Sequence, residues 1–214
     1  MLYYDEIFLS IQGESTDTGL PCIFIRLFGC PFGCSYCDTK QDIKNKKRIS
    51  IENVVNKVKS FKGVDRVCIT GGEPLLQDED VLPLVWELQS LDYKVSVETS
   101  GCVKIKDWGY YRRSFKYIMD VKCPSSGIPY KNVFDNLLKL QSNDEVVFVI
   151  ADRKDYDFMR ETLKNYPTMA HILLSPMFDS SGKNVIGKDL VNWVLEDKLK
   201  CRIQVQLHKI LGVK

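Results

Sequence analysis

Cys30, Cys34 and Cys37 stand at C-x3-C-x2-C spacing inside "FGCPFGCSYCDT" (28–39), and thiolates so grouped hold either zinc or an iron–sulfur cluster. A structural zinc wants four ligands, commonly from paired C-x2-4-C units, and Cys22, Cys68, Cys102, Cys123 and Cys201 form no second pair. Cys68 lies in a β-branched run and reads as a packed core thiol. His171 and His208, at or beside predicted strands, read as structural histidines, although a distant residue completing four zinc ligands stays open. Three thiolates on a four-iron cluster leave one iron with an open coordination position. There a small molecule with an amine and a carboxylate can bind and receive an electron directly. The second group of interest is Thr70-Gly71-Gly72-Glu73-Pro74, which by itself reads as an ordinary turn.

Both groups follow predicted strands. "CIFIRLF" (22–28) runs into the cysteine loop, and Arg26 interrupts it with a planar cationic fork suited to a carboxylate, or with a stem that snorkels along the sheet. After Ser50, the spacing of Ile51, Val54, Val55, Val58 and Phe61 predicts a capped helix ending at Gly63. "DRVCIT" (65–70) is the next strand. Asp78 or Asp80 is expected to cap a helix to about Leu91, in which Pro83 is tolerable only in the first turn. Further strands are predicted at 94–98, 117–122, 145–151, 171–176 and 202–207, with helical patterns at 132–141, 155–165 and 187–198. The residues before 22 read as a short N-terminal segment. This alternation predicts an α/β fold: a parallel sheet with crossover helices, open or a partial barrel, as one domain over 1–214. Chemistry in such folds gathers where strands end. The cysteine loop, the Gly-Gly-Glu-Pro turn, Glu98 with Thr99-Ser100-Gly101, Asp120 with Lys122, and Ser175-Pro176 are therefore expected at one mouth.

Composition narrows the class. With 214 residues, 44% of them hydrophobic, the chain can bury a sizeable core. Thirty basic residues against 28 acidic ones argue against a nucleic-acid or polybasic membrane surface, and the one basic run, 44–48, reads as a solvated loop. No apolar run approaches the roughly 20 residues of a membrane span, and the acidic residues of "MLYYDEIFLS" do not suit a signal peptide. A cytoplasmic location is expected, where cysteines serve as ligands or buried thiols rather than disulfides.

The cysteine spacing, with Tyr36 before the last cysteine, resembles the radical S-adenosylmethionine (SAM) enzymes, and "TGGEP" resembles their turn for the methionine amino group. "EIFLSIQGE" (6–14), Arg26, "CDT" (37–39), "TGGEPLLQ" (70–77), "ETSG" (98–101) and "QLHKILGV" (206–213) together resemble the 7-carboxy-7-deazaguanine synthase family. The resemblance implies a partial (β/α) barrel with its cluster loop at 28–39. It also implies ring contraction of 6-carboxy-5,6,7,8-tetrahydropterin, with loss of ammonia, in the queuosine and 7-deazaguanine pathway. The implied cofactors are a 4Fe-4S cluster on Cys30, Cys34 and Cys37, SAM, and Mg2+ approached by Thr39. The implied partners are an external flavodoxin- or ferredoxin-type electron donor and a second copy of the chain, with no nucleic acid or membrane.

Residue by residue, the resemblance gives Ile11, Gln12, Gly13, Glu14, Arg26, Thr70 and Lys214 to the substrate. It gives Gly72, Glu98, Asp120, Val121, Lys122, Ser175, Pro176, Met177 and Phe178 to SAM. Gly72 would bring bare backbone to the methionine end, and Glu98 would accept from the ribose hydroxyls. Three departures stand out: Asp120-Val121 where relatives carry Ser-Pro, Ser15 in "QGES" where they carry Gly, and an end in Gly212-Val213-Lys214 where they can end in proline. No protein acid or base is assigned. A glycyl-radical activating enzyme, which shares the cysteine motif, and a non-enzymatic zinc module are the competing readings.

Overall fold

A computed structural model describes residues 1–37, 41, 44, 46–106, 115–178 and 186–214. Nine strands form one sheet in the order β3-β1-β2-β4-β5-β6-β7-β8-β9. They are β1 (Leu2–Ile11), β2 (Pro21–Leu27), β3 (Lys47–Ile49), β4 (Arg66–Gly71), β5 (Lys94–Thr99), β6 (Phe115–Asp120), β7 (Glu145–Ile150), β8 (His171–Pro176) and β9 (Arg202–Ile203). From β2 to β9 every pairing is parallel, while β1 runs antiparallel to both β2 and β3.

The two faces of the sheet divide the labour by the period of two along each strand. Ile23, Ile25 and Leu27 of β2, Val67 and Ile69 of β4, Val95 and Val97 of β5, and Phe115, Tyr117 and Met119 of β6 belong to the main core. That core is covered by the helices. The alternate residues, Arg26, Thr70, Glu98 and Asp120 among them, face one common cavity, so the sheet curves around it as a partial barrel.

Helix α1 (Ile51–Lys59) starts where expected: Ser50 accepts from the Asn53 amide at 3.2 Å, and Val54, Val55 and Val58 are buried. Helices α3 (Arg153–Asn165), α4 (Gly187–Glu196) and α5 (Leu207–Leu211) follow later. Asp152 caps α3 by accepting from the Asp155 amide at 2.9 Å.

Several expectations change. The N-terminal segment is a ten-residue strand, so Arg26 lies on the second strand; it pairs antiparallel because the short 12–20 connection can only turn the chain back. The basic run ends in β3, whose three residues pair with β1. Helix α2 (Asp78–Ser90) is entered from a 3-10 turn, Pro74–Gln77, so its N-cap is Gln77 and neither aspartate caps it. Pro83 therefore falls in the second turn, where its missing N–H leaves the Glu79 carbonyl on an exposed face open to water. The pattern at 132–141 is a 3-10 helix, Phe134–Lys139. The strand expected at 202–207 stops at Ile203, since Gln204 and Gln206 turn to contact Glu14 and the chain enters α5.

Candidate functional site

Side chains from β1, β2, β4, β5, β6 and β7 enclose a cavity of about 310 Å³, and the cysteine loop forms part of its wall. Its size falls within the range of small-molecule sites. Cys30, Cys34 and Cys37 all line it.

The loop that carries them is held from three directions. At its start, the Gln41 side chain donates to the Leu27 carbonyl and accepts from the Gly29 amide, both at 2.7 Å. In its middle, Ser35 donates from its hydroxyl to the Ser125 carbonyl (2.6 Å) and from its amide to the Ser126 carbonyl (3.0 Å). The buried Asp155 carboxylate accepts from the Ser125 and Ala151 amides at 3.0 and 2.9 Å, fixing the turn on which Ser35 rests.

The third support is the double glycine. The Gly72 and Glu73 amides donate to the Leu27 and Gly29 carbonyls at 3.1 and 2.8 Å. A Cβ at Gly71, whose φ is +126°, would fall 2.2 Å from the Leu27 carbonyl oxygen, and one at Gly72 2.0 Å from that of Gly29. The absent side chain at Gly72, ascribed above to the cofactor, is first a condition for packing backbone on backbone beneath the cysteine loop. Glu73 has no assigned role in the sequence reading. Its carboxylate, 1% exposed, accepts from the Leu75 and Ser100 amides at 2.9 and 2.7 Å and from the Thr99 and Ser100 hydroxyls, so it joins the Gly-Gly turn to the end of β5.

Ile11, Gln12, Gly13, Glu14, Arg26, Thr70 and Lys214 line the same cavity, with Gly72, Glu98, Asp120, Lys122, Met177 and Phe178. Glu98 accepts from Thr70 Oγ1 (2.7 Å) and Gln12 Nε2 (3.3 Å), tying together residues ascribed separately to cofactor and substrate. Glu14 is held by Gln204 and Gln206, and His208 packs so closely that a Cβ at Gly13 would fall 2.0 Å from its Nδ1. This is why the "QLHKILGV" segment accompanies "IQGE": one covers the other. Val121, Ser175 and Pro176 are buried beside the cavity and do not line it. Thr39 lies outside the described residues.

Ser15 adopts φ +72°, the left-handed region that a glycine would take more freely; its hydroxyl accepts from the Asp17 amide at 3.0 Å in partial compensation. Where β6 ends at the cavity, burial opposes the charge of Lys122, yet the Asp120 carboxylate 2.7 Å away outweighs it and holds the ammonium's pKa above the ordinary value. Burial raises the Cys34 thiol, and the Lys122 ammonium pulls it the other way. Burial, with Asp120 next, keeps the Tyr36 phenol neutral; its hydroxyl and Asp120 Oδ1 are buried without a partner among the described residues.

Among the described residues no three His, Cys, Asp or Glu side chains converge into a group for a single metal ion. Three thiols of one loop that line a cavity, over a glycine turn that brings backbone close, fit an iron–sulfur cluster with an open position.

The family model described as "Radical SAM superfamily" matches residues 24–151. A 7-carboxy-7-deazaguanine synthase of Koribacter versatilis is 38% identical over 96% of this chain and 95% of its own length. One of Methanospirillum hungatei is 39% identical over 97% of this chain and 84% of its own. A crystal structure of QueE from Escherichia coli superposes with a TM-score of 0.77 at 24% identity, covering 97% of this chain and 94% of that one, a likeness of fold.

Proposed function

We infer the reaction from one premise: this chain belongs to the radical SAM superfamily and, within it, to the 7-carboxy-7-deazaguanine synthases. It is a radical SAM lyase of queuosine and 7-deazaguanine biosynthesis that works with a 4Fe-4S cluster and SAM. Its reaction is ring contraction of 6-carboxy-5,6,7,8-tetrahydropterin to 7-carboxy-7-deazaguanine with loss of ammonia. The observation that carries this reading is that the three cysteines, Arg26 and the Gln12-Gly13-Glu14 segment line one cavity.

Cys30, Cys34 and Cys37 would hold the cluster, which would supply the one electron that splits SAM into methionine and a 5'-deoxyadenosyl radical able to take hydrogen from C6 of the pterin. The chain's own residues bind, orient and enclose. Gly72, Glu98, Asp120 and Lys122 form the SAM side, and Val121, Ser175 and Pro176 back it from beneath while Met177 and Phe178 reach the cavity. Ile11, Gln12, Gly13, Glu14, Thr70, Arg26 and Lys214 form the pterin side. Glu14, an acceptor, faces the ring's amino and imino donors, and Arg26 faces its carboxylate. The inward Phe8, Phe24, Ile118 and Val147 keep water from the reacting carbon.

Mg2+ at Thr39, a dimer, a flavodoxin- or ferredoxin-type donor and a cytoplasmic location complete the reading, with residues 1–214 acting as one radical SAM domain. No described helix is long and apolar enough to cross a membrane. The test is an anaerobic assay of cluster-loaded protein with dithionite, SAM and the carboxytetrahydropterin, read by mass spectrometry. Formation of 7-carboxy-7-deazaguanine is expected; 5'-deoxyadenosine without it would overturn the substrate and leave the superfamily chemistry standing.

A further inference from the structure

Arg26 does not enter the cavity as a free cation. Its Nη1 donates to Glu6 Oε1 at 3.0 Å, and its guanidinium lies 5.2 Å from the centre of the Phe8 ring, which stacks on Phe24 at 5.2 Å between centres. The other oxygen of Glu6 accepts from Lys214 Nζ, and the Ser10 hydroxyl donates to a main-chain oxygen of Lys214 at 2.6 Å. Glu6 is therefore shared by two cations at the cavity's edge. Neither it nor Arg26 is deeply buried: their side chains are 27% and 28% exposed.

Two guanidinium nitrogens are left, Nη2 and Nε, and Nε is the enclosed one. It is buried and has no hydrogen-bond partner among the described residues. A buried N–H without an acceptor is costly, and a carboxylate matches an arginine edge with two parallel bonds. Glu6 takes one terminal nitrogen, and the Phe8 ring fixes the plane. The edge that carries Nε is then the one presented to a ligand.

We propose that Glu6 is a positioning residue: it clamps Arg26 by Nη1 so that the Nε edge receives the substrate carboxylate side-on. This rests on the cavity being a carboxylated-pterin site. Glu6 itself does not line the cavity, and it acts through Arg26. With Glu6 holding Nη1, the geometry of the fork is fixed before binding. Charge alone would attract a carboxylate more strongly without Glu6. Positioning requires the opposite outcome when Glu6 is removed, and the two accounts therefore differ in sign.

The test uses cluster-loaded protein under anaerobic conditions, with the fluorescent, unreactive ligands 6-carboxypterin and pterin, which differ by the carboxylate. Glu6→Ala is expected to weaken 6-carboxypterin about tenfold, the equivalent of one charge-assisted hydrogen bond, and to leave pterin within about twofold. Glu6→Gln, which still accepts from Nη1, is expected to stay within about threefold of the parent for both ligands. In turnover the Ala variant's loss should fall on KM for the carboxytetrahydropterin rather than on kcat. Unchanged or tighter binding of 6-carboxypterin by Glu6→Ala, or equal weakening of both ligands, would overturn the proposal. If the parent protein itself showed no preference for 6-carboxypterin over pterin, the carboxylated-pterin reading would fall instead, and Glu6's role with it.

Discussion

At Gly72, a single hydrogen decides whether the cysteine loop can lie where it does. A Cβ there would sit 2.0 Å from the Gly29 carbonyl oxygen and 2.9 Å from the Cys30 amide nitrogen, both backbone atoms that cannot rotate away. Gly72→Ala should therefore push the loop off the turn, at a cost of about 1–3 kcal/mol typical of overpacking. Iron and acid-labile sulfide per chain after reconstitution should fall well below the parent's while the far-ultraviolet circular dichroism is kept. Full cluster content in the variant would contradict this account of the glycine. The type and spacing of Cys30, Cys34, Cys37, Gly71 and Gly72 were legible in the sequence, the cysteines because grouped thiolates hold metal and the glycines because they mark a turn. The roles of Gln41, Glu73, Gln77 and Asp155 were not. Each grips backbone far away in sequence: Gln77 accepts from the Tyr3 amide at 2.8 Å and donates to the Tyr3 and Phe28 carbonyls at 3.0 and 3.1 Å. No local pattern marks a side chain whose partners are peptide groups of distant elements.

At the scale of elements, the 12–20 connection does more than join β1 to β2. It reaches the start of β7, where the Thr16 hydroxyl donates to Glu145, a carboxylate with no exposure at all. Lys116 of β6 completes the group through Glu145 and, at 2.9 Å, Asp17. Gln12, at the start of this connection, lines both the main cavity and a second one of about 200 Å³ that Asp17 and Lys116 also line, so the ion group buttresses the floor of the site. Lys116→Met should cost about 3–5 kcal/mol, because Glu145 would be left buried and unpaired. Burial works against the Lys116 ammonium, but Glu145 and Asp17 outweigh it and raise its pKa above the ordinary 10.5. A lysine raised on folding contributes stability that is complete below its unfolded pKa and is lost as pH rises through the folded value. The parent's excess stability over Lys116→Met should accordingly hold steady to about pH 10 and shrink above it. A difference that stays constant through strongly alkaline solution, or a variant as stable as the parent at neutral pH, would remove the buttress. The alternation of strands with helices was readable from periodicity. The antiparallel β1 was not, because "YYDEIFLS" mixes polar and apolar residues on a strand half-buried along most of its length.

For the whole molecule, the period-two split of the sheet explains how one small domain does radical chemistry. Its outer face is apolar and buried under helices, which leaves the inner face free to carry Arg26, Thr70, Glu98 and Asp120 around a single space. Strand ends were the expected location and the cavity gathers them, save for Val121, Ser175 and Pro176. Those three are buried beside the lining: Ser175 and Pro176 are the last residues of β8 and Val121 follows β6, and nothing local in the sequence separates a residue that lines the cavity from one packed next to it. The central claim is that the cysteine wall and the Arg26 wall belong to one reaction space, so that a radical generated at one reaches the pterin at the other. The most direct measurement is anaerobic turnover of substrate deuterated at C6, with the 5'-deoxyadenosine isolated and weighed. Deuterium in the 5'-deoxyadenosine, together with 7-carboxy-7-deazaguanine, is the predicted result. Product formed with 5'-deoxyadenosine that carries no deuterium would contradict hydrogen abstraction from C6 in this cavity, and with it the account given of the site.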